Sequence, residues 1–354
     1  MLLIQAPPRP RGTDPTEGAA MIVCQLADDE IAALLTSARE IGIAELPASH
    51  PRLLEVIALA SSELPRSLRR TLGSFRLTEE DGVALVRGCP IEPDLRPTPA
   101  HWSQTPEEAP ASLHDIVALL IASVLGDPFG RVTQQAGRVI QDIVPTRHDR
   151  REQRGSSSAA GLDWHSEDAF HDCRPDYLAL FCLRNPDHVA TTYADVSELE
   201  ITDTDRKLLF DAEFVIRPDD ALLVTARQPP SRPNSHAHAP PKVATLFGDP
   251  IRPYIRLDPS YTDVPESAAH RQAYRRLCAA ADQAAHSVRL RPGDCLLVDN
   301  FRVVHGRAAF HAQFDGTDRW LKRISVTRNL RQSRHLRAGG SRALGLTQVN
   351  RGGG

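Results

Sequence analysis

The sequence predicts a mainly β fold with flanking helices, built on a jelly-roll (double-stranded β-helix) core. Short apolar runs at 83–86, 177–183 and 295–298 end in polar or Gly/Pro-containing turns, which is how buried strands read. Two long helical stretches are inserted among such strands, a pattern that places helices outside a β core.

Taken in order, residues 1–20 are rich in Pro, Gly, Thr and Glu and are expected to form a flexible tail. A single domain is expected over 21–340, with 341–354 as a second flexible tail. The spacing of Ile31, Leu34, Leu35, Ala38 and Ile41 predicts an amphipathic helix capped by Asp28 or Asp29 and ending near Gly42. A second helix is expected over 53–63, broken by Leu64-Pro65. Residues 83–86 then form a strand ahead of a proline-punctuated linker, 89–110. Ser112 to Asp115 can cap the apolar helix 116–125, and Gly126 stops it.

A strand is expected over 138–144, a charged, serine-containing loop over 145–160, and another core strand over 177–183. Residues 227–242 hold five prolines with Ser, Asn and His, too polar to pack and longer than an ordinary connection. They are expected to form a lid over the active site; the rivals are a plain insertion and an accessory metal site at His236 and His238. Residues 267–286 predict an alanine-rich helix with Tyr274 and Leu277 inward, followed by a turn into strand 295–298.

Composition excludes several classes. A net charge of -3 and a pI near 6.5 argue against nucleic-acid or membrane-surface partners. Arg328, Arg331, Arg334 and Arg337 lack interleaved aromatics and read as a solvated flank rather than a nucleic-acid patch. No apolar run reaches the roughly 18 residues of a membrane span. The six cysteines show no Cys-x-x-Cys pairing, so free thiols in a reducing, cytoplasmic setting are expected.

The chemistry gathers around Trp164-His165-Ser166-Glu167-Asp168. In an extended segment the side chains at i and i+2 share a face, so His165 and Glu167 can converge on one ion. His305, in Asp299-Asn300-Phe301-Arg302-Val303-Val304-His305-Gly306-Arg307, is the third candidate. Two histidines and one carboxylate make the facial triad of Fe(II) oxygenases, with positions left open for co-substrate and O2. The bland rival is a half-exposed histidine beside a solvated glutamate. Arg319 and Arg323 weigh against it, because four residues apart on a strand they enter one cavity, with Leu321 between them. Buried guanidinium groups demand anions, and their planar fork matches a carboxylate.

Several ordered motifs carry a resemblance: Leu162 through Phe170, Cys182-Leu183-Arg184-Asn185-Pro186-Asp187 with Ala190-Thr191-Thr192, Asp299 through Arg307, and Phe314 through Arg323. In these the chain resembles the clavaminate synthase-like Fe(II)/2-oxoglutarate oxygenases, most closely the free L-arginine hydroxylases of the viomycin and streptothricin pathways. The resemblance implies Fe(II) held by His165, Glu167 and His305, and 2-oxoglutarate with its distal carboxylate on Arg319 and Thr192. It implies the substrate α-carboxylate on Arg323, which has no other evident anion in the sequence, with Gln134 and Ser156 near the substrate backbone. Glu167 sets the chain apart from the related halogenases.

The arginine hydroxylases hold the guanidinium with two aspartates two residues apart. Here Asp258 is kept and Ser260 replaces the second. A serine hydroxyl can donate to a carbonyl oxygen, which brings in citrulline and a cyclic guanidine beside arginine. The expected function is hydroxylation of C3 or C4 of such an amino acid in the biosynthesis of a specialised metabolite such as an antibiotic, with 2-oxoglutarate and O2 as the other small-molecule partners. Desaturation or cyclisation at the same site, and a non-catalytic metal-binding jelly-roll protein, stand as alternatives.

Overall fold

In the computed structural model, which describes residues 21–218 and 241–345, the chain is a mixed α/β structure with several sheets. The largest runs Met21–Gln25, Val83–Arg87, Cys295–Asp299, Tyr177–Arg184, Trp320–Thr327, Asp127–Arg131 and Ala343–Leu344, with Ile140–Ile143 also paired to Trp320–Thr327. A second sheet has the order His286–Val288, Thr191–Asp195, Val303–Arg307, Leu162–His165.

The central strands of the large sheet are buried on both faces, and their period-two alternation sorts side chains between two apolar layers. Cys295 and Leu297, with Tyr177, Ala179 and Phe181, pack on the helix layer through Leu34, Ile57, Leu72 and Leu119. Leu296 and Val298, with Leu178 and Leu180, meet Tyr193, Val288 and Val303 of the second sheet. Ala194 and Val304, on the outer face of that sheet, pack with Leu209, Ala273 and Leu277. Burying each such leucine is worth roughly 1.5–3 kcal/mol relative to exposure.

The helices depart from expectation in detail. Helix Asp28–Gly42 starts one residue beyond Ala27, the N-cap, whose amide donates to the Glu30 carboxylate at 2.9 Å. Asp28 and Asp29 occupy the first turn, where their charge favours the helix dipole, and do not act as caps. The stretch expected over 53–63 is the helix Pro51–Ala60 with a 3-10 turn, Ser61–Glu63. A further helix, Arg66–Thr78, begins directly after Pro65 and buries Leu68, Leu72 and Phe75. The proline that ends one helix therefore starts the next, as its fixed φ permits. Ser112 and Asp115 form the expected capping box on Leu113–Ser123.

The first segment expected to be a tail, 1–20, lies outside the described residues. So does the lid segment 227–242 apart from its last two residues; Lys242–Val243 pairs with Phe214–Ile216. The expected C-terminal tail begins instead with anchored residues, since Ala343–Leu344 pairs in parallel with Asp127–Arg131 and Arg342 meets Asp127 at 2.8 Å. All six cysteines are free, as expected. Among the described residues no helix is long and apolar enough to cross a membrane.

Candidate active site

His165 closes strand Leu162–His165, and antiparallel pairing with Val303–Arg307 sets His305 directly opposite it. Glu167 follows two residues on. One ligand atom from each of His165, Glu167 and His305 lies within 4.8 Å of the others. The Nε2 of His165 is 3.9 Å from Glu167 Oε2, while its Nδ1 faces the Asp163 carbonyl at 3.0 Å, a contact that orients the ring with Nε2 toward the centre. Burial, then the neighbouring His165 and Arg323, push the His305 pKa well below its ordinary value. It is therefore a neutral imidazole, the form that binds a metal. Its Nδ1 is buried without a hydrogen-bond partner. Two imidazoles and one carboxylate facing an open cavity fit a divalent iron centre.

The supporting residues are specific. Asn300 accepts the Glu167 amide at 2.7 Å and donates to the Glu167 and Pro175 carbonyls at 3.0 and 2.9 Å. It thus holds the backbone on both sides of a single carboxylate ligand. A Cβ at Gly306 would come within 2.6 Å of the Leu162 carbonyl and 3.0 Å of Thr192 Oγ1. Only glycine lets the two ligand-bearing strands approach this closely.

The triad opens onto a cavity of about 710 Å3, also lined by Gln134, Ser156, Asp258, Ser260, Arg319 and Arg323. Thr192 does not line it; Thr191 does. Arg319 reaches the Thr191 hydroxyl at 3.4 Å, so the expected threonine is displaced by one residue, which on a strand means the opposite face. Burial lowers the pKa of Arg319 to about 10, and its Nε is buried without a partner. Arg307 lines the cavity too. It donates to Ser157 Oγ at 2.6 Å and to the Ala160 and Ala308 carbonyls at 3.1 and 2.9 Å, which pins the preceding loop.

Arg323 does have an anion, contrary to expectation: its Nη1 lies 2.6 Å from Glu167 Oε1. The same guanidinium donates to Gln141 at 3.0 Å and to Gln134 at 3.2 Å. Gln134 in turn donates to Asp168 at 3.0 Å, and Asp168 forms a buried ion pair with Arg131. Sequence reasoning missed Gln141, Asp168 and Arg131; the only hint was the carboxylate directly after Glu167, at a left-handed φ of 51°. Ser156 donates to Asp149 at 2.7 Å, and Ser260 donates to Asp163 at 3.0 Å.

A sequence model of the taurine catabolism dioxygenase TauD, TfdA family matches residues 65–325. The chain is 40% identical over 332 residues to an enduracididine beta-hydroxylase of Streptomyces hygroscopicus, covering 90% of this chain and 97% of that one. It is 37% identical over 295 residues to an L-ornithine/L-arginine 3-hydroxylase of Catenulispora acidiphila, covering 79% and 86% respectively. The crystal structure of the non-heme iron oxygenase OrfP with Fe, succinate and (3S)-hydroxy-L-Arg superposes with a TM-score of 0.83 at 36% identity, covering 91% of this chain and 99% of OrfP.

Proposed function

We propose a substrate and residue roles for a chain that belongs to the taurine catabolism dioxygenase (TauD, TfdA) family. The enzyme is an Fe(II)/2-oxoglutarate-dependent hydroxylase of a free L-amino acid of the arginine type. In our reading it acts at C3, the position in the names of both relatives, in specialised metabolism. The observation that carries this reading is the grouping of the triad with two arginines on one cavity. The two facing sheets support a double-stranded β-helix core, and residues 21–340 are taken as one oxygenase domain.

When bound, Fe(II) with 2-oxoglutarate and O2 supplies an oxidant that converts an aliphatic C–H bond to an alcohol, with succinate and CO2 as co-products. His165, Glu167 and His305 would hold the ion. Arg319, with Thr191 beside it, would take the distal carboxylate of 2-oxoglutarate, for which its buried, anion-poor surroundings suit it. Arg323 and Gln134 would receive the α-carboxylate and backbone atoms of the amino acid, while Asp258 and Ser260 face the end of its side chain. Positioning is the protein's task, since the cofactor carries the reactivity.

The test is incubation with Fe(II), 2-oxoglutarate and a panel of arginine, ornithine, citrulline and a cyclic guanidine amino acid. A gain of one oxygen matched by succinate supports hydroxylation, and a loss of two hydrogens would replace it by desaturation or cyclisation. Succinate release that ignores the amino acid, or a zinc site with no turnover, overturns the reading.

A further inference from the structure

The end of the cavity meant for the substrate side chain contains one more carboxylate than the Asp258/Ser260 pair provides. Asp163 lies two residues before His165 on strand Leu162–His165, so the two side chains leave the strand on the same face, and both line the cavity. Trp164 points the other way, its indole N–H donating to Asp282 at 2.7 Å. The Asp163 backbone is held from both sides: its amide donates to Gln153 at 2.9 Å and its carbonyl faces His165 Nδ1 at 3.0 Å. Its carboxylate accepts from the Ser260 hydroxyl at 3.0 Å.

That last bond decides what Ser260 can do. A serine hydroxyl has one hydrogen and two lone pairs, and a carboxylate can only accept. The single hydrogen is therefore committed to Asp163, and what Ser260 presents to a ligand is lone pairs. Asp163, Asp258 and Ser260 together form a wall of acceptors. Two further arginines that line the cavity are matched with acids elsewhere: Arg217 with Asp263 at 3.1 Å and Arg154 with Asp149 at 3.3 Å. Among the described residues no basic side chain pairs with Asp163.

We infer that Asp163 is a specificity-determining residue, supplying from the metal-ligand strand the second carboxylate that position 260 lacks, and that the site selects a cationic guanidine over a neutral ureido side chain. A guanidinium presents only N–H donors to such a wall. The ureido group of citrulline places a carbonyl oxygen where a donor is needed, and unmatched polar groups discriminate strongly. This rests on the proposed function and narrows it: Ser260, which by itself would admit citrulline, excludes it through Asp163.

The test is anaerobic titration calorimetry of L-arginine and L-citrulline against the protein loaded with Fe(II) and 2-oxoglutarate. Wild type is expected to hold arginine more tightly. Asp163→Asn is expected to lower the arginine-to-citrulline affinity ratio by about tenfold, the effect of losing one charge-assisted hydrogen bond at a partly open site, with 2-oxoglutarate affinity unchanged. Ser260→Ala, which leaves Asp163 charged but unanchored, moves the ratio the same way by a smaller factor. A ratio unchanged in both variants overturns the assignment of Asp163 alone. A wild type that binds neither amino acid removes the arginine-type reading and this inference with it.

Discussion

Strand Trp320–Thr327 and the residue before it carry three cations on two faces, Arg319 and Lys322 buried and Arg323 half-buried, and the faces treat them differently. On the helix side Lys322 lies 3.2 Å from Asp115 and 2.8 Å from Asp142, which also accepts the Trp320 indole N–H at 2.7 Å. Burial alone would lower its pKa, but the two carboxylates hold it above the ordinary lysine value. On the cavity side Arg319 has burial without a matching carboxylate and drops to about 10. Arg323 meets one carboxylate, and that one belongs to the triad. A buried charge that serves the fold is neutralised within the fold; one that serves a ligand is left incomplete. The difference locates the site without reference to any motif.

Variants on the two faces should therefore fail in opposite ways. The largest effect is expected at the centre: Glu167→Ala should abolish hydroxylation and metal retention while the protein stays folded, since Gln141 and Gln134 still engage Arg323. Turnover in that variant, measured as succinate and product, would contradict the ligand assignment. Arg319→Met should weaken 2-oxoglutarate binding by about a hundredfold or more, yet leave the melting temperature unchanged or raised, because it removes a buried charge without a carboxylate partner. Lys322→Met should do the reverse, costing about 3–5 kcal/mol in denaturant unfolding by stranding two buried carboxylates, with both KM values near wild type. Equal stability losses in these two variants would erase the comparison.

Arg323→Lys should raise the amino-acid KM about tenfold, since a single ammonium cannot reproduce the planar fork, and move the 2-oxoglutarate KM far less. The opposite order would exchange the roles of the two arginines. The smallest effect concerns pH. Burial would raise the pKa of Asp115, but Lys322, with His114 and the Ser112 hydrogen bonds, brings it down to about 2. A carboxyl depressed on folding stabilises above its unfolded value, near 4, and loses that contribution as pH falls toward 2. Acid unfolding of wild type should show this slope, and Lys322→Met should flatten it.

What could be read in advance followed from local periodicity. The i, i+2 spacing of His165 and Glu167 and the i, i+4 spacing of Arg319 and Arg323 read as properties of extended backbone, and the side chains do converge on one cavity. The strands nevertheless stop at His165 and start at Trp320, which leaves Glu167 in the following turn and Arg319 just ahead of its strand. Thr192 failed for the same kind of reason: neighbours on a strand face opposite ways, and the likeness of Thr191 and Thr192 hid which one faces in. Helix Arg66–Thr78 was missed because Pro65 was read only as a stop. The Arg323–Glu167 contact and the Ser260–Asp163 bond join residues 156 and 97 positions apart, and no local pattern encodes such a pair.

The spacing of the two arginines has a consequence for regiochemistry. Four steps of extended backbone at about 3.3 Å each set their Cα atoms roughly 13 Å apart. That separation is a ruler set where the chain enters the large sheet, with Arg319 directly before strand Trp320–Thr327 and Arg323 within it, and it is independent of what fills the far end of the cavity. On the roles proposed above, an amino acid held at Arg323 by its carboxylate would present its carbons to the triad at distances counted from that end. On that reading the choice of carbon would be graduated by sheet register, while the polar wall beyond would decide only which side chains are measured.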